Sequence, residues 1–232
     1  MRKSIAILTS LAFALCATAP VNAQSSQTGS RFKSDRMTGS EDRARLALDF
    51  FGKCVARLKD DDFVAYMNEP SGENWAAVTY FPNSQTRCAA HGDMVFSPRT
   101  AQGVIAEGWY LMKYPDGLSP QIAALEPHLP PQGPAIKAIM AASEEAKPFV
   151  VVDEFARCVV ASSPQKSDAF LRTKVTSKEE REALGALSPH LAPCAFDGQE
   201  LSFTLMGLRG AIAFSLAELA LNPTMHQEKS AD

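Results

Sequence analysis

The same cysteine-anchored pattern occurs twice in this chain, and it limits the possible folds more than any other feature. One copy opens Phe51-Gly52-Lys53-Cys54-Val55 and the other opens Phe155-Ala156-Arg157-Cys158-Val159. Cys88 follows Cys54 by 34 residues, and Cys194 follows Cys158 by 36. Both copies continue as Cys-Ala-x-x-Gly and then reach an apolar-x-Phe step, at Met94–Phe96 and Leu201–Phe203. Seven residues beyond each phenylalanine stands a glycine, Gly103 or Gly210, followed in both cases by x-Ile-Ala. Agreement of this length, in the same order, reads as a tandem duplication.

Residues 1–23 have the build of an export signal. Arg2 and Lys3 precede an apolar run from Ile5 to Ala17, too short to span a bilayer, and Val21-Asn22-Ala23 is a small-residue cleavage site. Cys16 as a lipidation site is the weaker reading, because Leu15 stands before it where a small residue belongs. Cleavage near Ala23 predicts a periplasmic or secreted protein. No later stretch approaches the roughly 20 apolar residues of a membrane helix, so no membrane span is expected in the mature chain. That chain keeps 21 basic against 26 acidic residues, a net charge of −5. A mildly acidic protein without Lys/Arg clusters argues against nucleic acid as a partner.

Losing Cys16 leaves four cysteines in an oxidising compartment. Spacing alone permits three pairings. The duplication selects one, because a unit that once folded alone would close its own bridge: Cys54 with Cys88, and Cys158 with Cys194. A metal site is the lesser alternative, since neither C-x-x-C nor H-x-x-x-H occurs.

The expected organisation is a flexible leader over 24–40, a first repeat over 41–113, a Pro-rich connector over 114–147, a second repeat over 148–221 and a polar tail over 222–232. Helical periodicity begins at Glu41. The acidic run Asp60-Asp61-Asp62 is expected to cap a short helix from about Phe63 to Met67; as a calcium loop it lacks spaced ligands and a glycine turn. Asn74 to Phe81 has strand character. Ser97-Pro98 and Thr204 are expected to start largely apolar helices over Pro98–Lys113 and Leu205–Leu221. Ser163-Pro164 is a further N-cap, and Ser177-Lys178-Glu179-Glu180 a capping box for a helix through Leu187. Met94–Phe96 and Leu201–Phe203 alternate and are candidates to pair as short strands. In the connector, Tyr114-Pro115-Asp116-Gly117 reads as a turn, 135–146 as a helix, and Ile122, Leu125 and Leu129 as residues needing burial.

No catalytic signature is present: no G-x-S-x-G, Walker loop, G-x-G-x-x-G or H-E-x-x-H. Three side chains are the ligand candidates. His128 and His190 sit in near-identical contexts, Leu125-Glu126-Pro127-His128-Leu129 and Leu187-Ser188-Pro189-His190-Leu191, which suits a metal or acid/base pair. Their 62-residue offset differs from the duplication's, so a similar loop-to-helix turn arising twice is the plainer account. Arg209 could clamp an anion, or could pair with a carboxylate such as Glu218 or cap a carbonyl; the structural role is favoured. Gly103 and Gly210 fall inside predicted helices, where glycine costs about 1 kcal/mol, and this predicts that the two helices cross there. Trp75 and Trp109 read as core or groove residues.

Phe155-Ala156-Arg157-Cys158-Val159-Val160, the spaced Cys194 and Leu208-Arg209-Gly210-Ala211 resemble small exported proteins of alphaproteobacteria, sphingomonad-like in character, that carry this cysteine repeat. The resemblance covers roughly Leu46–Ala106 and Val150–Leu219, with Gln102 departing from the Leu-Arg-Gly step. It implies no substrate, cofactor or catalytic residue. The expected fold is mainly α: two disulfide-closed helical repeats with at most two or three short strands. The expected function is non-enzymatic binding of a small ligand or an envelope protein, in a groove between the repeats. The alternatives are a hydrolase or other enzyme using Arg209, His190 or His128 in that groove, and a purely structural envelope protein.

Overall fold

A computed structural model describes residues 31–33, 41–70, 72–79, 88, 93–196 and 203–222, and among these the chain is mainly helical. The helices are α1 (Glu41–Leu58), α2 (Asp60–Asn68), α3 (Gly72–Thr79), α4 (Pro98–Lys113), α5 (Pro120–Ala123), α6 (Gln132–Ala141), α7 (Lys147–Ser162), α8 (Pro164–Arg172), α9 (Lys178–Leu187) and α10 (Leu205–Leu221). Two 3-10 turns, Ser188–His190 and Ala192–Cys194, follow α9. Strands β1 (Arg31–Lys33) and β2 (Asp93–Val95) form an antiparallel pair, with Phe32 opposite Met94.

Helices α4 and α10 begin where their hydroxyl caps require. Ser97 Oγ accepts from Thr100 N at 3.1 Å with Pro98 in the first turn of α4, and Thr204 Oγ1 accepts from Gly207 N at 3.0 Å at the start of α10. Helix α4 is central: α1 packs against it at Val104 and α10 at Gly103, while α7 packs against α10. A helix covered from several sides must be apolar nearly all round. That explains the buried run of α10, from Leu208 through Ile212 and Leu216 to Leu219.

Both disulfides join the cysteines that lie within one block, Cys54–Cys88 and Cys158–Cys194, with Cα separations of 5.4 and 5.6 Å. An aromatic pair accompanies each: Phe51 meets Phe96 with ring centroids 4.9 Å apart, and Phe155 meets Phe203 at 5.0 Å. The predicted turn at Tyr114–Gly117 is held by Arg172, whose guanidinium donates to the carbonyls of Tyr114, Pro115 and Gly117 at 2.7, 2.8 and 2.5 Å.

Several local expectations are corrected. The described part of the span with strand character, 74–79, lies in helix α3, where Val78 is fully buried; β propensity reports fit to a half-buried sheet, and among the described residues no strand pairs with it. The partner of β2 is Arg31–Lys33, inside the expected flexible leader, while Leu201 and Ser202 lie outside the described residues, as do the leader's other residues and the 1–23 segment. Asp60 is not a cap: it is the first residue of α2, and its carboxylate accepts from Trp109 Nε1 at 2.9 Å and Lys113 Nζ at 2.5 Å. Asp60 to Asp62 favour the helix start through its dipole instead. Ser163 makes no side-chain cap on α8. Ser177 Oγ does accept from Glu180 N at 3.1 Å, but the Glu180 carboxylate turns to Thr176 N and to two arginines, so the box is half made. In the connector the helix is Gln132–Ala141, starting three residues earlier than expected and ending before 146. Ile122 is fully buried, whereas Leu129 is 54% exposed. Trp109 is a core residue, 2% exposed; the Trp75 side chain lies outside the described residues.

Candidate functional site

Charged side chains gather in two places, one sealed and one facing a cavity. The sealed cluster centres on Arg209, 3% exposed in the middle of α10. Its Nε lies 2.9 Å from both Glu107 oxygens and its Nη2 lies 2.7 Å from Oε1, a two-pronged pair between α10 and α4. Its remaining N–H groups serve the open C-terminal end of α8: Nη1 donates to Phe170 O at 2.9 Å, and Nη2 to Thr173 O at 2.9 Å and to Leu171 O. Glu180 Oε1 accepts from Arg209 Nη1 at 3.2 Å and from Arg45 Nη2 at 2.5 Å. Burial pushes the Glu107 carboxyl above the ordinary range, and the Arg209 charge pulls against that shift. Two arginines and two glutamates thus cancel in the core. The sequence reading of Arg209 as a structural residue agrees with this arrangement, but its partner is Glu107 and not Glu218, because α4 rather than α10 itself presents the carboxylate to it.

Glu218 belongs to the second cluster. Arg157 Nε and Nη2 donate to its two oxygens at 2.9 and 2.8 Å, and Arg157 Nη1 donates to Glu154 Oε1 at 2.6 Å. Burial disfavours the Arg157 charge, yet Glu218 and Glu154 outweigh it and hold the guanidinium pKa above its usual value. Beside them Arg99 pairs with Asp153 and lies 5.2 Å over the ring of Phe214. Burial lowers the Arg99 pKa.

This second cluster edges a cavity of about 260 Å³. The connector lines it with His128, Pro130, Pro131, Pro134 and Ala135, and the rest of its apolar lining comes from Ala161, Phe196 and the Cys158–Cys194 disulfide. The chemistry of the wall follows from its sequence. Pro130 and Pro131 have no N–H and precede the helix, while Pro134 and Ala135 lie in the first turn of α6, whose leading N–H groups have no partner within the helix. Gln132 Nε2 pins that wall to the disulfide segment through Pro193 O and Ala195 O at 3.3 and 3.4 Å, and His128 N donates to Ala161 O at 3.0 Å. The cavity does not lie between the two cysteine blocks. Every lining residue comes from 128–218, so the connector supplies the face that the expected groove would have drawn from the first block.

The structure brings His128 and His190 to one shallow depression, together with Ser162 and Pro193, and keeps Arg209 apart from both in the core. His128 Nδ1 lies 3.1 Å from Glu126 O, and His190 Nε2 lies 2.9 Å from Lys166 Nζ. Among the described residues no group of three or more His, Cys, Asp or Glu side chains is arranged to hold a metal ion. The two histidine segments also fold differently: 186–190 passes from α9 into a 3-10 turn, while 125–131 is irregular. A shared local turn therefore does not account for their likeness.

Glu154 and Arg157 appear in the sequence only as polar interruptions of an apolar run. A signal was nonetheless available. Glu154, Arg157, Cys158 and Ala161 have the i, i+3, i+4, i+7 spacing of one helix face, so charge and disulfide share a stripe that an apolar core would not select. Comparison with protein-family models, with curated proteins and with solved structures found no match to this chain.

Proposed function

We propose that this chain is an exported, non-enzymatic binding protein that takes a small ligand in the cavity beside the Cys158–Cys194 disulfide. The observation that carries the reading is the cavity itself: an apolar, proline-walled space of about 260 Å³ with one compact set of charged groups at its edge. That is the build of a small-molecule site, apolar for affinity and polar at a few points for orientation. Two disulfides, and no helix among the described residues long and apolar enough to cross a membrane, fit a secreted or periplasmic protein. Binding is favoured over hydrolysis because the three polar candidates do not converge in the cavity: Arg209 is spent in the core, His190 lines a neighbouring depression, and only His128 borders both. Descent of the two blocks from one unit belongs to the same proposal, supported by the matched disulfides, the matched aromatic pairs and the contact between Gly103 and Gly210.

Native mass spectrometry of the mature protein from a periplasmic extract tests the reading. Extra mass in the native spectrum that disappears on denaturation, and is absent from an Ala161→Trp variant designed to fill the cavity, is the expected result. Apo protein in every preparation, with no small molecule retained, would count against it.

A further inference from the structure

Resting on the cavity reading above, we infer that residues 126–145, which carry α6, are a hinged lid that opens to admit the ligand and is held closed by it. No residue in 123–150 is buried, the longest such stretch among the described residues, while Ile122 before it and Val151 after it are buried. Helix α6 therefore contributes no side chain to the buried core. Ala135 and Ile139 rest on the core partly buried, and Ile136 and Met140 are 46% and 72% exposed. The facing wall is of the other kind. Phe155, Cys158, Val159, Cys194 and Phe196 are buried there, and the Cys158–Cys194 bridge closes it covalently.

The lid is tied across the cavity by His128 N, which donates to Ala161 O at 3.0 Å, and by the Gln132 amide, which reaches Pro193 O and Ala195 O at 3.3 and 3.4 Å. The two glutamine bonds are at the long end of the normal range, and both lie where water competes for them. Opening thus exchanges these bonds for bonds to water and uncovers little apolar surface, which is the condition for a segment to open without unfolding the rest. Pro127, Pro130, Pro131 and Pro134 fix φ along the first half of the lid, so it moves as a stiff piece about its ends. One end is the irregular chain after α5. The other is Ala142, extended at φ −72° and ψ 147°, ahead of the turn closed by Ala146 N on Ser143 O. A ligand in the cavity touches both walls at once, so its binding energy opposes opening.

The test is amide hydrogen exchange read by mass spectrometry on the full mature protein, alone and with two neutral probes, benzyl alcohol and N-phenyl-1-naphthylamine. Calorimetry on the protein and on Ala161→Trp records whether each probe binds in the cavity. Expected is exchange in 132–141 about 100-fold or more faster than in α7 and α10. A cavity-bound probe at about ten times its Kd should slow exchange in 132–141 about tenfold, because only the closed form holds it. Exchange in 132–141 as slow as in α7 overturns the lid, and the cavity reading stands if a probe still binds there. A probe that binds in the cavity and leaves that exchange unslowed also overturns the lid alone. If neither probe binds, the cavity reading fails and this inference fails with it.

Discussion

Gly103 and Gly210 touch backbone to backbone where α4 crosses α10: a Cβ on Gly103 would come within 2.6 Å of Gly210 Cα, and one on Gly210 within 3.1 Å of Gly103 Cα. A second crossing uses the other face of α4, where a Cβ on Gly52 of α1 would fall 2.0 Å from Val104 O. Alanine at any of these positions gains about 1 kcal/mol of helix propensity and loses to overpacking of about 1–3 kcal/mol. Gly52→Ala and Gly103→Ala, which meet backbone under 3.0 Å, should fall at the upper end and destabilise by a net of about 2 kcal/mol, and Gly210→Ala by about 1 kcal/mol or less, because the latter clash needs only a few tenths of an ångström of relief. Gly185→Ala, in α9 with open space around it, should stabilise slightly. Urea denaturation of the four variants checks the order; a neutral Gly103→Ala would mean the helices do not cross there.

Removing one member of the Arg209–Glu107 pair strands the other charge in the core. Glu107→Leu or Arg209→Met should each cost about 3–5 kcal/mol, whereas the two substitutions combined should cost less than the two single losses together. A double-mutant cycle by chemical denaturation measures this, and simple additivity would contradict the pairing.

Each disulfide closes a long loop, 34 and 36 residues apart in sequence. Substituting both Cys158 and Cys194 by serine should remove about 3–4 kcal/mol by loosening constraint on the unfolded chain, with the Cys54–Cys88 bridge still formed. Melting under oxidising conditions, together with thiol counting, decides the matter. A variant that melts like the parent would contradict a stapled second block.

Tyr110 offers a pH test. Burial first, and then the charge of Asp168 together with the 3.0 Å bond its Oδ1 accepts from the hydroxyl, raise the Tyr110 pKa above its ordinary 10.0. Burial raises Tyr66 as well. A folded-state pKa above the unfolded one means that the stabilisation is complete below pH 10 and is lost as pH rises through the folded value. Phenolate absorbance should therefore report Tyr66 and Tyr110 ionising above the ordinary range, together with loss of helical circular dichroism. Tyr110→Phe should remove one late titration and cost about 1–2 kcal/mol. All tyrosines ionising near their ordinary pKa in an intact helical protein would contradict the buried hydroxyls.

The start of α4 at Ser97-Pro98, the start of α10 at Thr204 and the pairing of the cysteines within their blocks could all be read from the chain. Caps act over three residues and a duplicated spacing is visible by inspection, so these features carry their cause within a short stretch of sequence. Tertiary structure decided the rest. Arg209 and Glu107 are 102 residues apart, and Arg157 meets Glu218 across 61. No local rule says which of 26 acidic residues will face a given arginine. Asn74–Thr79 became helical because packing overrode its β propensity, and the connector became a cavity wall because Gln132 pins it to the Cys194 segment. Hydrogen bonds to caps are local and periodic, whereas buried charge and enclosed space depend on which helix faces come together.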